Sequence, residues 1–383
     1  MANDGTVVQR VRKVKLKPTQ VQQALLTEWA GAARWTYNQG IQHLVKEKGA
    51  SKRTLRDRYV TAKDNDLPEW LLRTPKCVRQ QAAFRAKAMQ ASALSNLKAG
   101  HIRRFRLGFA TKRERTWSLG VEKQLKEAEG RLSVLPKLLG EMAFRGELPF
   151  QGKPPAECVL HHTAGGELYL CVPLPRKVTN QKGDIRPAVA LDPGARKFLT
   201  TFASDGACEA LGCNVTEVLL TVLEKLDELD SLLQAARGRQ KSRFRRAKVR
   251  VHRRLQHLQE ELHAKLAAHL TNTYSTIIMP TFSVHDVSAK DTSRLRAKTK
   301  RVLFALAHGK FRARLRHVCE RKGCVLLEPD ERFTSKTCGR CGGLTDVGSL
   351  ETYTCGWCGA CADRDANGAR NILLKCLEPI PLD

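Results

Sequence analysis

No apolar run in the 383 residues reaches the roughly 18 that a membrane-spanning helix needs, so a spanning helix is excluded. The opening Met1-Ala-Asn-Asp-Gly5 is polar and leads into no apolar stretch, so no secretory signal is expected there. Internal repeats and low-complexity segments are lacking too, which excludes a solenoid. Acid is scarce: 38 Asp and Glu face 67 Lys and Arg, for a net charge of +29. A folded chain this basic repels itself unless a polyanion is bound. The basic residues run from Arg10 to Lys375. A basic tail would be local, whereas a nucleic-acid-binding body is basic throughout. An anionic membrane surface is the rival partner for the same charge. Hydrophobic residues make up 42% of the chain, which excludes a disordered polycation, and the length suffices for two or three domains with a real core.

There are thirteen cysteines, five of them between Cys338 and Cys361. The others, Cys77, Cys158, Cys171, Cys208, Cys213, Cys319, Cys324 and Cys376, are scattered, mostly in apolar segments such as Tyr169-Leu-Cys171-Val-Pro173. With no secretory signal these read as reduced, buried thiols.

Residues 7–16 alternate apolar and basic, the pattern of a half-buried strand with a cationic outer face. Pro18-Thr19 opens a helix in which Thr19 and Gln22 have capping-box spacing. Leu25, Leu26, Trp29, Ala33 and Tyr37 follow at helical intervals. Further helices are expected over 51–63, 68–72 and 76–98, the last with small residues that allow close packing. From His101 the pattern changes, and 117–121, 131–134, 158–162 and 168–173 read as short strands between Gly and Pro turns. With the opening strand they make one antiparallel barrel into which the helices are inserted. A polar linker at 181–184 precedes a strand, a tight turn and a second strand around Leu191-Asp192-Pro-Gly194. A helical pattern over 216–271 is broken by a basic segment at 237–254. A buried strand at 275–282, a helix at 298–321, a strand at 323–328 and a closing helix at 366–376 complete the chain. Strands alternating with helices predict an α/β domain with a mixed sheet.

Cys338-Gly-Arg-Cys341 is followed after thirteen residues by Cys355-Gly-Trp-Cys358. Two thiolate pairs at this spacing read as a four-cysteine zinc site. Disulfides are the alternative, and they suit a secreted chain. Cys361 forms a second Cys-x-x-Cys with Cys358 and competes for the fourth ligand position. Four thiolates leave no position for water, so the zinc would be structural.

Two acids stand out. Asp192 ends an apolar strand just before Pro-Gly, where a turn-forming acid is the plain alternative. Asp365 lies in Asp363-Arg-Asp365-Ala-Asn367-Gly-Ala-Arg-Asn371, at the start of an apolar helix whose dipole favours an anion. An N-cap is the plain alternative there. Separated aspartates on an α/β domain in so basic a chain point to two-metal phosphodiester cleavage, with Mg²⁺ ions about 3.5–4 Å apart. Magnesium takes hard oxygen ligands of this kind.

The motifs Leu191-Asp192-Pro-Gly194, Thr334-Ser-Lys-Thr-Cys338-Gly-Arg-Cys341-Gly, Cys355-Gly-Trp-Cys358-Gly and Asp363-Arg-Asp365-Ala-Asn-Gly-Ala-Arg-Asn-Ile372 resemble the TnpB superfamily. So do Lys15-Leu-Lys-Pro-Thr19 and Arg34-Trp-Thr-Tyr-Asn38, so the similarity spans nearly the whole chain. These are transposon-encoded, RNA-guided DNA endonucleases related to type V CRISPR effectors. The resemblance implies an α/β multidomain fold: a wedge-type β-barrel (1–17 and 101–180), an inserted helical recognition domain (18–100), and a RuvC nuclease domain of RNase H type (185–335 and 362–383) interrupted by a zinc-binding module (336–361).

The chain departs from TnpB at one point. The family usually carries the middle acid of its RuvC triad at the end of the strand that here reads Ile277-Ile-Met-Pro280. The eukaryotic Fanzor branch is more similar, with Pro-Thr-Phe at this point and a glutamate just before Thr-Ser-Lys-Thr-Cys, here Glu331. The resemblance thus implies Asp192, Glu331 and Asp365 as the triad that holds two Mg²⁺ ions, and Cys338, Cys341, Cys355 and Cys358 as ligands of one Zn²⁺. Glu328 competes with Glu331, and Asp363 with Asp365.

Ten Lys and Arg residues occupy the eighteen positions 237–254. A solvated helix face accounts for any one of them and poorly for the whole run. Arg237, Arg239, Lys241, Arg243, Arg245, Arg246, Lys248 and Arg250 are therefore candidates to line a groove for a guide–target duplex, with salt-dependent affinity. The same cluster could act as an import signal, and nuclear residence is expected in a eukaryotic host.

Three functions stay open at this point. The first is a Fanzor-like RNA-guided DNA endonuclease with guide RNA and target DNA as partners. The second is a guide-dependent DNA-binding protein without cleavage, to which loss of the usual glutamate is a direct route. The third is a guide-free DNA-binding accessory protein of a transposase.

Overall fold

The structure, a computed structural model, describes residues 7–61, 67–122, 124–154, 156–177, 186–281, 296–330, 334–348 and 350–376. The chain divides into two compact units, Gln9–Pro175, and Met1–Val8 with Arg176–Asp383.

Strand β1 (Val7–Lys17) supplies the first unit from Gln9 onward. Val14 and Leu16 are buried while Lys13 and Lys17 are exposed, which is the period of two that the sequence shows. Helix α1 (Gln20–Lys46) follows at once. Thr19 Oγ1 accepts from the Gln22 amide at 3.3 Å, and Gln22 Oε1 accepts from the Thr19 amide at 2.9 Å, a complete capping box. The Gln22 side chain also donates to the carbonyls of Leu139 and Glu141. Helices α2 (Lys52–Tyr59), α3 (Glu69–Leu72) and α4 (Lys76–Lys98) come next. Buried Ala83 and Ala86 of α4 let it pack against Ile41 and Leu44 of α1. The expected helix at 51–63 ends by Tyr59, and its tail lies outside the described residues.

Six strands follow: β2 (Trp117–Glu122), β3 (Leu125–Ala128), β4 (Arg131–Val134), β5 (Ala143–Arg145), β6 (Cys158–His162) and β7 (Leu168–Lys177). One five-stranded sheet has the order β2-β6-β7-β1-β5, and β3 pairs with β4 as a separate hairpin. β3 and β5 go unread in the sequence because Lys126, Glu127 and Arg145 break the apolar β-branched signature of a strand. Leu119, Leu160 and Leu170 of the sheet share a core with Leu26 and Trp29 of α1.

The second unit is built on a mixed five-stranded sheet, order β10-β9-β8-β11-β12. Its strands are β8 (Ala188–Pro193), β9 (Leu199–Ala203), β10 (Cys208–Leu211), β11 (Thr276–Ile278) and β12 (Val325–Leu327). β8, β9 and β10 form an antiparallel meander, and β8, β11 and β12 run parallel. The connections between the parallel strands are helices: α5 (Val215–Ala235), α6 (Gly238–Thr273), α7 (Ala297–Leu306) and α8 (His308–Lys322). Leu219, Leu266, Leu306 and Phe311 from these helices cover Val189, Leu191 and Ile277 on one face of the sheet. The C-terminal helix α9 (Arg364–Lys375) covers the other face, with Ile372 and Leu373 against Ala190 and Ile278. Between α8 and α9 lies a small lobe that carries strands β13 (Thr352–Thr354) and β14 (Cys361–Asp363).

Three expectations are corrected. The basic segment does not interrupt the helical pattern; it is itself the first half of α6, because Arg and Lys are good helix formers, and the break falls at the extended Arg237. The single helix expected at 298–321 is two, since Ala307 adopts left-handed φ 53°, ψ 50°. No Gly or Pro marks that position, so nothing in the sequence signals it. The scattered cysteines are not all buried: Cys208 and Cys213, on and just after the edge strand β10, are exposed.

Thr19→Ala removes one half of the capping box and is expected to cost the first unit about 1 kcal/mol, read from the shift of its urea midpoint.

Candidate metal centres

The four-cysteine knuckle is assembled as the spacing implies. The sulfurs of Cys338, Cys341, Cys355 and Cys358 all lie within 4.8 Å of one another. Cys338 Sγ is 3.7 Å from Cys358 Sγ, and Cys341 Sγ is 3.6 Å from Cys355 Sγ. A tetrahedral ion with Zn–S bonds of about 2.3 Å places its sulfurs about 3.8 Å apart, so the cage fits zinc and is too open for disulfides. Backbone amides point at the thiols: Arg340 N is 3.4 Å from Cys338 Sγ, and Trp357 N is 3.4 Å from Cys355 Sγ. The amides of Cys358 and Trp357 lower the Cys355 thiol, in the direction of the thiolate that zinc takes. Cys361 is not part of the cage. It lies in β14, paired with Thr354 of β13.

The acids belong to the same unit. Asp192 is half-buried at the end of β8, opposite Thr200 of β9. A Cβ built on Gly368 of α9 would come within 2.8 Å of Asp192 Oδ2, so only glycine fits where helix meets carboxylate. Asp365 stands three residues before Gly368, on the same face of the helix. The structure thus brings Asp192 and the face of α9 that carries Asp365 together.

Asp363 is differently employed. It is the N-cap of α9: its Oδ1 accepts from the amides of Asp365 at 2.9 Å and Ala366 at 3.0 Å. Its Oδ2 accepts from Lys197 Nζ at 2.9 Å, while that ammonium is 3.9 Å from Asp365 Oδ2. Burial pushes the Asp363 carboxyl up, but the Lys197 hydrogen bond and the capped amides outweigh it and hold the carboxyl below its ordinary value. The cap is therefore complete above the ordinary carboxylate pKa and is lost only as pH falls through the depressed one.

Around the middle acid, the parallel register sets the geometry. Ile278 lies opposite Ala190 and Leu327, so two residues further on Asp192, Pro280 and Pro329 share a row. Backbone bonds from Met279 N to Leu327 O (2.9 Å) and Thr281 N to Pro329 O (3.1 Å) carry the β11–β12 ladder that far, and the place of Asp192 follows from continuing the β8–β11 register past Ala190. The row thus has an acid on β8 and prolines beside it. Glu328 has both oxygens committed to Arg316, at 2.8 and 2.7 Å, and lies 3.5 Å from Arg312. Glu331 lies outside the described residues. Its flanks are tied to α9: the Asp330 carbonyl accepts from Lys375 Nζ at 2.7 Å, and the Thr334 carbonyl accepts from Asn371 Nδ2 at 2.8 Å. Among the described residues, the four cysteines are the only group of three or more side chains close enough to share a metal ion.

Two residues near Asp192 escape a reading of the sequence. Lys197 ties the turn after β8 to the start of α9. His308, buried and stacked on Phe198 at 4.6 Å, is within 3.1 Å of the Gly194 carbonyl through Nε2. Burial drives its pKa down to about 4, so the ring is neutral and Nε2–H is the donor. Nothing in the local sequence announces either role, because both partners are more than 100 residues away.

On α6, Arg239, Arg243, Arg246, Arg250 and Arg254 are exposed at intervals of three and four and form one stripe. Arg237, before the helix, and Arg245 are exposed as well, Lys241 is half-buried, and Lys248 pairs with Asp230. Positive charge at a helix N-terminus opposes the helix dipole. The first turn of α6 contains no acid to offset it.

Comparison with known proteins adds the following. Residues 308–372 match the family model described as Cas12f1-like, TNB domain, and residues 6–47 match the one described as Helix-turn-helix domain. In this structure that second stretch holds β1 and α1. A "Putative transposase" of Paramecium bursaria Chlorella virus 1 is 35% identical over 97% of this chain and 87% of its own. A "TnpB-like protein" of Acanthamoeba polyphaga mimivirus is 25% identical over 96% and 73%. A "Putative RNA-guided DNA endonuclease" of Streptomyces pristinaespiralis is 31% identical over 35% and 32%. The fold is similar to that of the protein in the cryo-EM structure of a Cas12f1-sgRNA-target DNA complex, with a TM-score of 0.56 and 11% identity over 96% of this chain and 98% of that one.

Metal analysis of the purified chain is expected to give one zinc, kept in Cys361→Ser and lost in Cys358→Ser.

Proposed function

The chain belongs to the family of TnpB-like transposases, and from that membership we propose that it is an RNA-guided DNA endonuclease of the Fanzor type. Guide RNA would supply sequence recognition by base pairing, and the protein would read a short motif beside the target. The observation that carries this reading is the meeting of Asp192 with the Asp365 face of α9 across Gly368.

Asp192, Glu331 and Asp365 are the residues that would hold two Mg²⁺ ions. Such ions supply an activated water and stabilise the leaving oxygen. The chain's own residues do the positioning. Pro280 carries no ligand atom and Glu328 is held by arginines, and the Fanzor resemblance is what supports Glu331 as the third acid. On either side of it, α9 holds the backbone at Asp330 and at Thr334. Lys197 and the neutral His308 fix the turn that follows Asp192. Asp363 serves as the helix cap, which leaves Asp365 for the metal.

The arginine stripe on α6 is proposed to follow a nucleic-acid backbone. Its charge opposes the helix dipole, and a bound phosphate chain removes that penalty. The same cluster is proposed to direct the protein to the nucleus of a eukaryotic host.

A second reading, guided DNA binding without cleavage, draws on Pro280. One reaction separates the two: the purified protein–guide complex, a target plasmid and Mg²⁺. Asp192→Ala, Asp365→Ala and Glu331→Ala are each expected to lose cleavage by about a hundredfold or more with guided binding kept. Guided binding by the parent chain with no cutting would select the second reading. Target binding that survives RNase treatment would sink both. Replacing Arg243, Arg246 and Arg250 by alanine should flatten the slope of log affinity against log salt by about 0.7–0.9 for each phosphate no longer neutralised.

A further inference from the structure

Helix α9 is gripped by the zinc-bearing lobe through buried side-chain amides. Asn367 is 7% exposed and works in both directions: Oδ1 accepts from Gly339 N at 2.9 Å, and Nδ2 donates to the Thr337 carbonyl at 2.8 Å. One turn on, Asn371, also 7% exposed, donates to the carbonyls of Thr337 at 2.7 Å and Thr334 at 2.8 Å. Gly339 stands between the zinc-cage residues Cys338 and Cys341. A Cβ there would lie 3.0 Å from Asn367 Oδ1 and 3.3 Å from Asn371 Oδ1, so the knuckle backbone is pressed directly on the helix. On the other side of the lobe, β14 runs straight into α9 through its cap, Asp363. The lobe therefore holds α9 both before and after Asp365.

We propose that Asn367 and Asn371 are positioning residues through which zinc in the four-cysteine cage keeps Asp365, and the chain on either side of Glu331, in register with Asp192. The proposal rests on the nuclease reading for its consequence but not for its geometry. Desolvation carries it. A buried amide that loses its partners costs far more than a solvated one, so knuckle and helix stay docked together or separate together. Zinc fixes the sulfurs of Cys338 and Cys341, and with them the Gly339 amide between. Without the ion the knuckle loosens and both asparagines lose partners, which leaves α9 to its apolar contacts at Ile372 and Leu373, the Gly368–Asp192 contact and the Asp363–Lys197 bond. Asp365 lies between the two polar ties of that remainder and loses the buried amide clamp at Asn367 that follows it.

Hydrogen exchange on the full zinc-loaded chain tests this. Stripping zinc with a chelator is expected to speed exchange of the α9 amides by about tenfold or more, with β8 and β9 unaffected. Asn367→Ala should do the same with one zinc still bound by metal analysis. Gly339→Ala, which only pushes knuckle from helix, provides a milder version should Asn367→Ala fail to fold. In cleavage, zinc-loaded Asn367→Ala should need about tenfold more Mg²⁺ for half-maximal rate, with guided binding unchanged. Unchanged α9 exchange after zinc removal overturns the proposal, and so does unchanged exchange in the zinc-loaded variant. A parent chain that binds target and never cuts overturns the nuclease reading alone, and the exchange result still decides the coupling.

Discussion

Helix α9 can lie on the sheet as it does because residue 368 has no side chain. Asp192 Oδ2 occupies the space a Cβ would need. The contact places a carboxylate from the end of β8 beside a helix that begins more than 170 residues later, and every statement about a shared metal site depends on it. The helix is also the hub of the lobe's attachments: its cap faces Lys197, its asparagines hold the knuckle, and Lys375 holds the chain before Glu331. Its apolar stripe, Ile372 and Leu373, supplies the burial that keeps all of these in place.

A charge problem runs through the chain and is solved unevenly. Acids that matter locally are each given a cation: Asp363 has Lys197, Glu328 has Arg316, and Asp227 has Arg301. The first turn of α6 contains no acid, so the helix starts with the wrong sign of charge for its dipole. Acids neutralised one by one beside an exposed basic stripe are the arrangement that the proposed polyanion partner would use.

Much of the fold was legible. The strand–cap–helix start at residues 7–46 follows from alternating apolar and basic residues and from Thr19 with Gln22, and the structure contains both interactions of the capping box. Misreadings cluster where long-range packing overrides local preference. In the basic half of α6, Val251 and Leu255 pack against the core, which adds to the helix preference of its Arg and Lys. The left-handed Ala307 has no sequence mark, since its conformation serves the placement of His308 against Gly194. Short strands such as β3, carrying Lys126 and Glu127, exist because a partner strand is available and not because the residues prefer it.

The chain's own sequence determined the zinc cage and the two aspartates as candidates, because ligand spacing is a local property: a Cys-x-x-Cys turn presents both sulfurs whatever surrounds it. It also pointed to a polyanion as partner, since net charge requires no fold. Only tertiary structure decided which acids meet. It gave Asp363 to the helix cap and Glu328 to arginines, set Pro280 in the row of Asp192, and joined knuckle to helix through Asn367. Those outcomes depend on the register of parallel strands and on the close approach of a helix to a sheet, and both are fixed by packing between segments that the sequence holds far apart.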